Sequence, residues 1–368
     1  MMDEISGKRE KKQKRARKPF QGSVKLADVA LRAGVSTATA SRAINSPLLV
    51  SPDTRERVEM AVRDLNWIPH GAAKALASLR TRTIGAIVPT FGHQGIAGMV
   101  EALQGELARA NYTLLLGWSR GDPDTALRQA FNMIERGVDA LILMGEDQPA
   151  ALMGVLEERD ILHVIAYTSG KLGRSICIGF DNFAEMGKLT AHLLELGHTR
   201  FGVIARDFTH NDRIRQRVES INATLASEGI AVRPQHFIQV DHWLMGSGRK
   251  GMKLLLSRPP IPTAVICTND YLAAGALIEA KSAGLSIPND LSIVGFDDIE
   301  LAAELDPPLT TLRVPAAEVG QEIAKYLLDR LERGSPSPPA PLSGELIIRS
   351  STAPPRLDER PSGSNRGV

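Results

Sequence analysis

At 368 residues with 43% hydrophobic side chains the chain can bury two or three domain cores, and no apolar run nears the ~18 residues of a membrane span. The net charge is only +2, yet residues 1–82 hold 17 Lys and Arg against 8 Asp and Glu, so a segment of +9 is joined to a body of −7. The positive end suits a polyanion such as DNA, and the opening MMDEISGKREKKQKRARKPF, charged with no apolar run behind it, reads as no secretory signal, so a cytoplasmic location is expected.

Residues 1–22 read as a basic, disordered arm that either follows a phosphate backbone or is simply solvated. The next stretch, Leu26 to Asn45, reads LADVALRAGVSTATASRAIN and has the layout of two helices around a glycine turn. Val29 and Ala33 stand one turn apart, Gly34 can take the positive backbone angle that a sharp reversal needs, and Ser36 is placed to cap the second helix. Thr37 and Ala38 then point outward, with Ser41, Arg42 and finally Asn45 on later turns. Such positions on a recognition helix meet base edges and phosphates in a major groove. Ser51 and Pro52 start a third helix, whose Val58, Ala61, Val62 and Leu65 form an apolar stripe able to close a small core over the first two.

The runs DVALRAGVSTATASRAIN and VSPDTRERVEMAVRDLNWIPHGAAKALAS resemble the DNA-binding headpiece and hinge of the LacI/GalR family of bacterial transcription regulators, and the resemblance extends from about Val24 to near Pro355. It implies a headpiece over 23–69 and a hinge over 70–81. The hinge is too short to hold as an isolated helix, and the resemblance implies that it folds against its twin in a homodimer on near-palindromic operator DNA. His70, Ala73 and Leu76 would then lie at the DNA, with Leu76 wedged into the minor groove; an ordinary linker with Leu76 packed on the protein is the alternative. Lys25 departs from the family, which usually has a threonine cap there, so Ser23 would substitute or the first helix would fray.

From Thr83 strand and helix patterns alternate. IGAIVP, YTLLLGW, DALILMG, HVIAY, SICIGF, FGVIA, FIQV, AVICT and LSIVGF are apolar without a period of two, as parallel strands buried on both faces are. So many units exceed one sheet. The expected fold class is α/β with a small all-α N-terminal domain: a helix-turn-helix headpiece, then an effector-binding and dimerisation core over 82–355 made of two doubly wound parallel-sheet lobes, like a type I periplasmic sugar-binding protein. One lobe takes 82–182 plus 313–340 and the other 183–312 plus 341–355; residues 356–368 read as a disordered tail. No leucine heptads follow, so a dimer is expected. Cys177 and Cys267 lie in apolar runs and read as core thiols.

In doubly wound folds ligands occupy the crevice at the carboxyl ends of the strands. Those ends offer Thr90 and Phe91, Asp181 and Asn182, Trp243, Asn269 and Asp270, and Asp297 and Asp298, while Arg213 and Arg217 lie in NDRIRQRVES at a helix start. The resemblance puts Arg217, Trp243, Asn269 and Asp297 where this family contacts its effector. An indole face, hydroxyl-binding Asn and Asp and an arginine fork suit a small polyol or sugar derivative with a carboxylate or phosphate. Asn182, Asp270 and Asp298 could instead cap helices or turns, and Arg213 could be a surface charge. VPT, IGFDNF, CTND and the arginines of NDR resemble the gluconate-repressor branch, which implies gluconate, another sugar acid or a sugar phosphate. Ser220 stands where the family often has glycine, which would alter packing near Arg217.

Two rival functions have some footing. Gly246, Gly248 and Gly251 satisfy G-x-G-x-x-G and Asp270 follows at a strand end, as in a nucleotide-dependent enzyme, but Asp241 to Met245 separate the glycines from the strand FIQV. No P-loop, HExxH or G-x-S-x-G is present, and the eight histidines form no metal-ligand spacing, so no cofactor or metal is expected. A sugar-binding protein for transport would have the same lobes but no headpiece. The expectation is therefore a cytoplasmic, nucleoid-associated DNA-binding regulator, a repressor as in most of the family, of a carbohydrate or sugar-acid operon, with effector and DNA affinities coupled.

Overall fold

A computed structural model describes residues 24–68, 80–334 and 336–356, and the chain divides into two compact units, Met1–Leu79 and Arg80–Val368. In the first, helices α1 (Leu26–Ala33), α2 (Thr37–Asn45) and α3 (Pro52–Asp64) enclose a core of small residues, among them Val29, Ala30, Ala40, Ala43, Val58 and Ala61. Gly34 ends α1 at φ 66°, and this turn lets the Val35 N–H donate to the Ala30 carbonyl at 3.0 Å. Ser36 caps α2 and Ser51 caps α3, accepting from the N–H groups of Thr39 at 3.1 Å and Thr54 at 3.4 Å. Lys25 offers α1 no capping oxygen. The Asp28 carboxylate reaches back instead and accepts from the Lys25 N–H at 2.7 Å, the return half of a capping box, so the start of α1 is tied down from within its own first turn.

The second unit holds two open sheets. The first, in strand order β2-β1-β3-β4-β6-β5, comprises β1 (Thr83–Val88), β2 (Thr113–Trp118), β3 (Ala140–Met144), β4 (His163–Ala166), β5 (Gly170–Leu172) and β6 (Ser175–Ile178). Asp139 pins its entry by accepting from the Thr81 and Arg82 N–H groups at 2.9 and 2.8 Å. Every pairing is parallel except that of β5, an antiparallel edge strand joined to β6 through a turn at Gly173. The second sheet runs β10-β9-β7-β8, wholly parallel, from β7 (Phe201–Arg206), β8 (Phe237–Val240), β9 (Ala264–Cys267) and β10 (Ser292–Val294). The central strands β3, β7 and β9 are buried almost end to end, which is why they read as continuous apolar runs.

Helices α4 (Gln94–Arg109), α5 (Pro123–Glu135) and α6 (Ala150–Glu158) cross between strands of the first sheet. α7 (Asn182–Glu195), α8 (Asp212–Ser227), α9 (Met245–Leu256), α10 (Asp270–Ser282) and the short α11 (Glu300–Glu304) follow. α7 packs on α8, whereas α12 (Ala316–Glu332) returns to pack on α4, so the chain passes between lobes after β6 and again after β11 (Thr311–Arg313). β11 pairs antiparallel with β12 (Glu345–Ile347).

The glycines of G-x-G-x-x-G lie inside α9. A Cβ on Gly248 would come within 2.1 Å of the Leu272 carbonyl oxygen, and one on Gly275 within 2.0 Å of the Met245 carbonyl oxygen, so α9 and α10 touch backbone to backbone. Both cysteines are buried free thiols, and burial pushes Cys177 up to about 11 and Cys267 higher, so both stay protonated. Among the described residues no helix is long and apolar enough to cross a membrane, and no group of three or more His, Cys, Asp or Glu could hold a metal.

Candidate functional sites

On the first unit, Ser36, Thr37, Ala38, Arg42 and Asn45 are exposed and Ser41 is half-buried, while Ala40 and Ala43 face the core. The Asn45 amide turns back on its own helix, donating to the Ser41 carbonyl at 3.0 Å and to the Ser41 hydroxyl at 3.3 Å. The face is left with the small Thr37 and Ala38 and with Arg42, the one charged side chain of α2. His70, Ala73 and Leu76 lie outside the described residues.

In the second unit the carboxyl ends of β1, β4, β7, β8, β9 and β10 converge on an open cleft. Thr90, Arg213, Arg217, Trp243, Asn269 and Asp297 line it, as do His93, Tyr167, Arg206 and Asn211, which sequence reasoning did not single out. Arg206 ends β7 and Tyr167 follows β4 directly, so the strand-end rule would have found both. His93 and Asn211 sit at helix starts, where capping residues look alike whether or not they face a ligand.

Arg217 is a fixed cation. Its Nε donates to Asn182 Oδ1 at 3.0 Å, its Nη1 to the Thr268 carbonyl at 2.9 Å, and its guanidinium stands 3.6 Å from the Phe296 ring centroid. Desolvation pulls its pKa down to about 10, which leaves it charged at neutral pH. Ser220 adds a bond glycine cannot make: its hydroxyl donates to the Phe183 carbonyl at 2.6 Å and clasps α8 to α7. Asn182 is thus a buried strut for Arg217 rather than a cap.

Arg213 is different. Its Nε is buried without a hydrogen-bond partner, and the nearest carboxylate, Asp212, stays 4.0 Å away with its own Oδ2 unpartnered. Desolvation lowers the Arg213 pKa, and lowers that of Arg206, on which the Arg213 charge acts in the same sense. Two neighbouring cations, each partly stripped of water, leave the cleft short of an anion. Arg213 is therefore no solvated surface charge.

Asp297 is held at φ 117°, a conformation costly for a side-chain-bearing residue, by its N–H donating to the Leu312 carbonyl at 2.8 Å. Its carboxylate meets His93 Nε2 at 3.2 Å and Arg217 Nη2 at 4.0 Å. Trp243, Tyr271 and His93 form an aromatic cluster, with centroids 4.9 Å apart for Trp243 and Tyr271 and 5.2 Å for Trp243 and His93. Asn269 caps α10 through the Leu272 N–H at 2.8 Å, so its oxygen is already engaged and its amide nitrogen, 3.4 Å from the Trp243 carbonyl, is the end with capacity to spare. Asp298 is an ion-pair hub, bound by Arg313 at 2.8 Å and Arg349 at 2.7 Å, and Asp270 is a buried strut.

Two expected residues fall outside the lining. Phe91 is half-exposed and faces Trp118 at 6.5 Å. Asp181 is exposed and caps α7, accepting from the Phe183 and Ala184 N–H groups at 2.9 and 3.0 Å. Both follow strands, but their side chains turn to the surface and to a helix end.

Residues 25–70 match the family model described as bacterial regulatory proteins, lacI family, and residues 190–352 that of the periplasmic binding protein-like domain. Over 331 residues the chain is 34% identical to the HTH-type transcriptional repressor CytR of Escherichia coli (strain K12), a match covering 89% of this chain and 96% of CytR. This chain belongs to the LacI family. The fold of this repressor is also similar to that of the lac repressor dimer bound to operator and the anti-inducer ONPF, with a TM-score of 0.80 and 26% identity over 90% of this chain and 100% of that one. The CelR–cellobiose complex gives a TM-score of 0.65 and 27% identity over 89% and 99%. The molecule is a DNA-binding transcriptional repressor with an effector-binding domain, and its relatives are repressors rather than enzymes.

Proposed function

We propose that this LacI-family repressor controls a carbohydrate or sugar-acid utilisation operon as a homodimer, and that an acidic sugar bound in the cleft sets its affinity for a near-palindromic operator. Gluconate, a related sugar acid or a sugar phosphate is the effector class. The observation that carries this reading is the set of three guanidiniums, Arg206, Arg213 and Arg217, that line the cleft with Asp297 as the one lining carboxylate, the Nε of Arg213 being without a hydrogen-bond partner, beside an aromatic face at Trp243 and hydroxyl partners at Asn269 and Asp297. CelR, which resembles this chain over nearly its whole length, forms a complex with cellobiose, which favours a carbohydrate in the cleft. Thr37, Ala38 and Arg42 would read a major groove, with His70, Ala73 and Leu76 of the hinge at the minor groove between half-sites. Because the cleft is lined from both lobes, a ligand that touches Thr90 and His93 on one side and Arg213 on the other binds one lobe pose better than another and shifts that balance.

Calorimetric titration of the full chain with sugar acids, their neutral aldoses and sugar phosphates tests this. An acid should bind about tenfold or more tighter than its neutral counterpart, the increment of a charge-assisted hydrogen bond, and Arg213→Ala should erase the difference. Equal affinity for acid and aldose would overturn the anionic reading.

A further inference from the structure

The three guanidiniums that line the cleft are not equally available to a ligand. Arg217 has spent its Nε and Nη1 on Asn182 and the Thr268 carbonyl, and its plane stands over the Phe296 ring. Arg213 brings its charge to the cleft, but its Nε is buried, so the Nε–Nη edge that meets a carboxylate side-on is closed to a ligand. Arg206 differs from both. It ends β7 half-buried, and among the described residues it makes no hydrogen bond and no ion pair, while none of its nitrogens is shut away from solvent. Its chain neighbour Asp207 is engaged elsewhere: that carboxylate accepts from the Thr209 N–H at 3.1 Å, the Thr209 hydroxyl at 2.8 Å and the Gln239 amide at 2.7 Å. Partial burial without a partner is costly for a guanidinium, and an open fork at a strand end in the cleft is the geometry that takes an oxyanion.

We infer that Arg206 is the residue that selects an acidic effector: its fork takes the acid group through two parallel N–H···O bonds, Arg213 reinforces it by charge alone, and Arg217 shapes the wall. This rests on the acidic-sugar reading above and names the side chain that reads the acid. The same fork reaches the other lobe. A Cβ on Gly121, in the turn between β2 and α5, would come within 3.1 Å of Arg206 Nη2, so the guanidinium of the β7 lobe lies against the backbone of the β2 lobe, where glycine leaves it room. An acid held by Arg206 therefore binds at the seam between the lobes, and its charge contributes to the preference for one lobe pose over another.

The test is calorimetric titration of the intact repressor and three variants with gluconate, glucuronate and glucose. Wild type should bind at least one of the acids about tenfold or more tighter than glucose. Arg206→Gln, which removes the charge and the fork, should cost that acid about tenfold and glucose no more than about twofold. The two lysine variants separate fork from charge. Arg206→Lys keeps the charge without the fork and should retain a preference of about threefold at most, whereas Arg213→Lys should keep the preference within about twofold of wild type. An acid preference that survives Arg206→Gln, or one that tolerates lysine at 206 and not at 213, would overturn the assignment of Arg206 and leave the acidic-sugar reading standing. Equal losses of acid and glucose in Arg206→Gln, with a lowered thermal midpoint, would make Arg206 a structural residue and overturn the assignment as well. A wild type that prefers neither acid to glucose overturns the two readings together.

Discussion

Asp270 is 1% exposed, and desolvation, with the Asp297 carboxylate adding to it, pushes its pKa up to about 7. Unfolded, the same carboxyl titrates near ~3.9, so between about pH 4 and 7 the folded chain binds the extra proton. Its contribution to stability is therefore full below pH 4 and is lost as pH rises through 7. Asparagine preserves both contacts, since its oxygen can accept from the Ile299 N–H, now 2.9 Å away, and its amide can donate to the Thr311 hydroxyl, now at 2.5 Å. Urea unfolding of wild type from pH 4.5 to 8 should show a loss on the order of 4 kcal/mol that Asp270→Asn lacks; parallel curves would mean that the carboxyl is ionised in the fold throughout. At this scale the sequence was legible in position but not in direction. Strand ends located Thr90, Trp243, Asn269 and Asp297 at the cleft, and the helix start NDRIRQRVES located Arg213 and Arg217. The same rule took in Phe91 and Asp181 because it says where a residue sits along the chain and not which way its side chain turns. The orphaned Arg213 Nε becomes visible only when α8 is set against its neighbours.

Elements were legible where burial dictates composition. The buried strands read as apolar runs because both faces of each sheet are covered, whereas β5, three residues reading GKL and mostly exposed on an edge, carries no such pattern. The α9 glycines that satisfy G-x-G-x-x-G share that motif's physics, close backbone approach, but the partner is α10 and not a pyrophosphate. This separates the glycines of one short run. Gly248→Ala forces a Cβ into a carbonyl oxygen and should cost about 3 kcal/mol or more, read as a lowered midpoint of thermal or urea unfolding. Gly246, with nothing within 4 Å of an added Cβ, should accept alanine with a change of about 1 kcal/mol or less, in the stabilising direction. Equal effects at the two sites would show that α9 does not rest on α10 through Gly248.

Across the whole molecule, charge and function divide along the same line: a +9 segment carries the helix-turn-helix and a −7 body carries the cleft. Operator affinity then has a large salt-dependent part that the effector does not touch, and a part that the effector shifts. If the proposed coupling holds, it is a single free energy shared by the two sites. An effector that changes the operator dissociation constant by some factor must find its own affinity changed by the same factor when operator is bound. For couplings of the usual size this is about 5- to 150-fold, measurable by titrating effector into the repressor with and without saturating operator duplex at one salt concentration. Matching factors, falling together when Arg213 is replaced by alanine, would place the effector's whole action in the cleft. A factor for operator that exceeds the one for effector would mean that a second ligand site or a change of assembly carries the remainder.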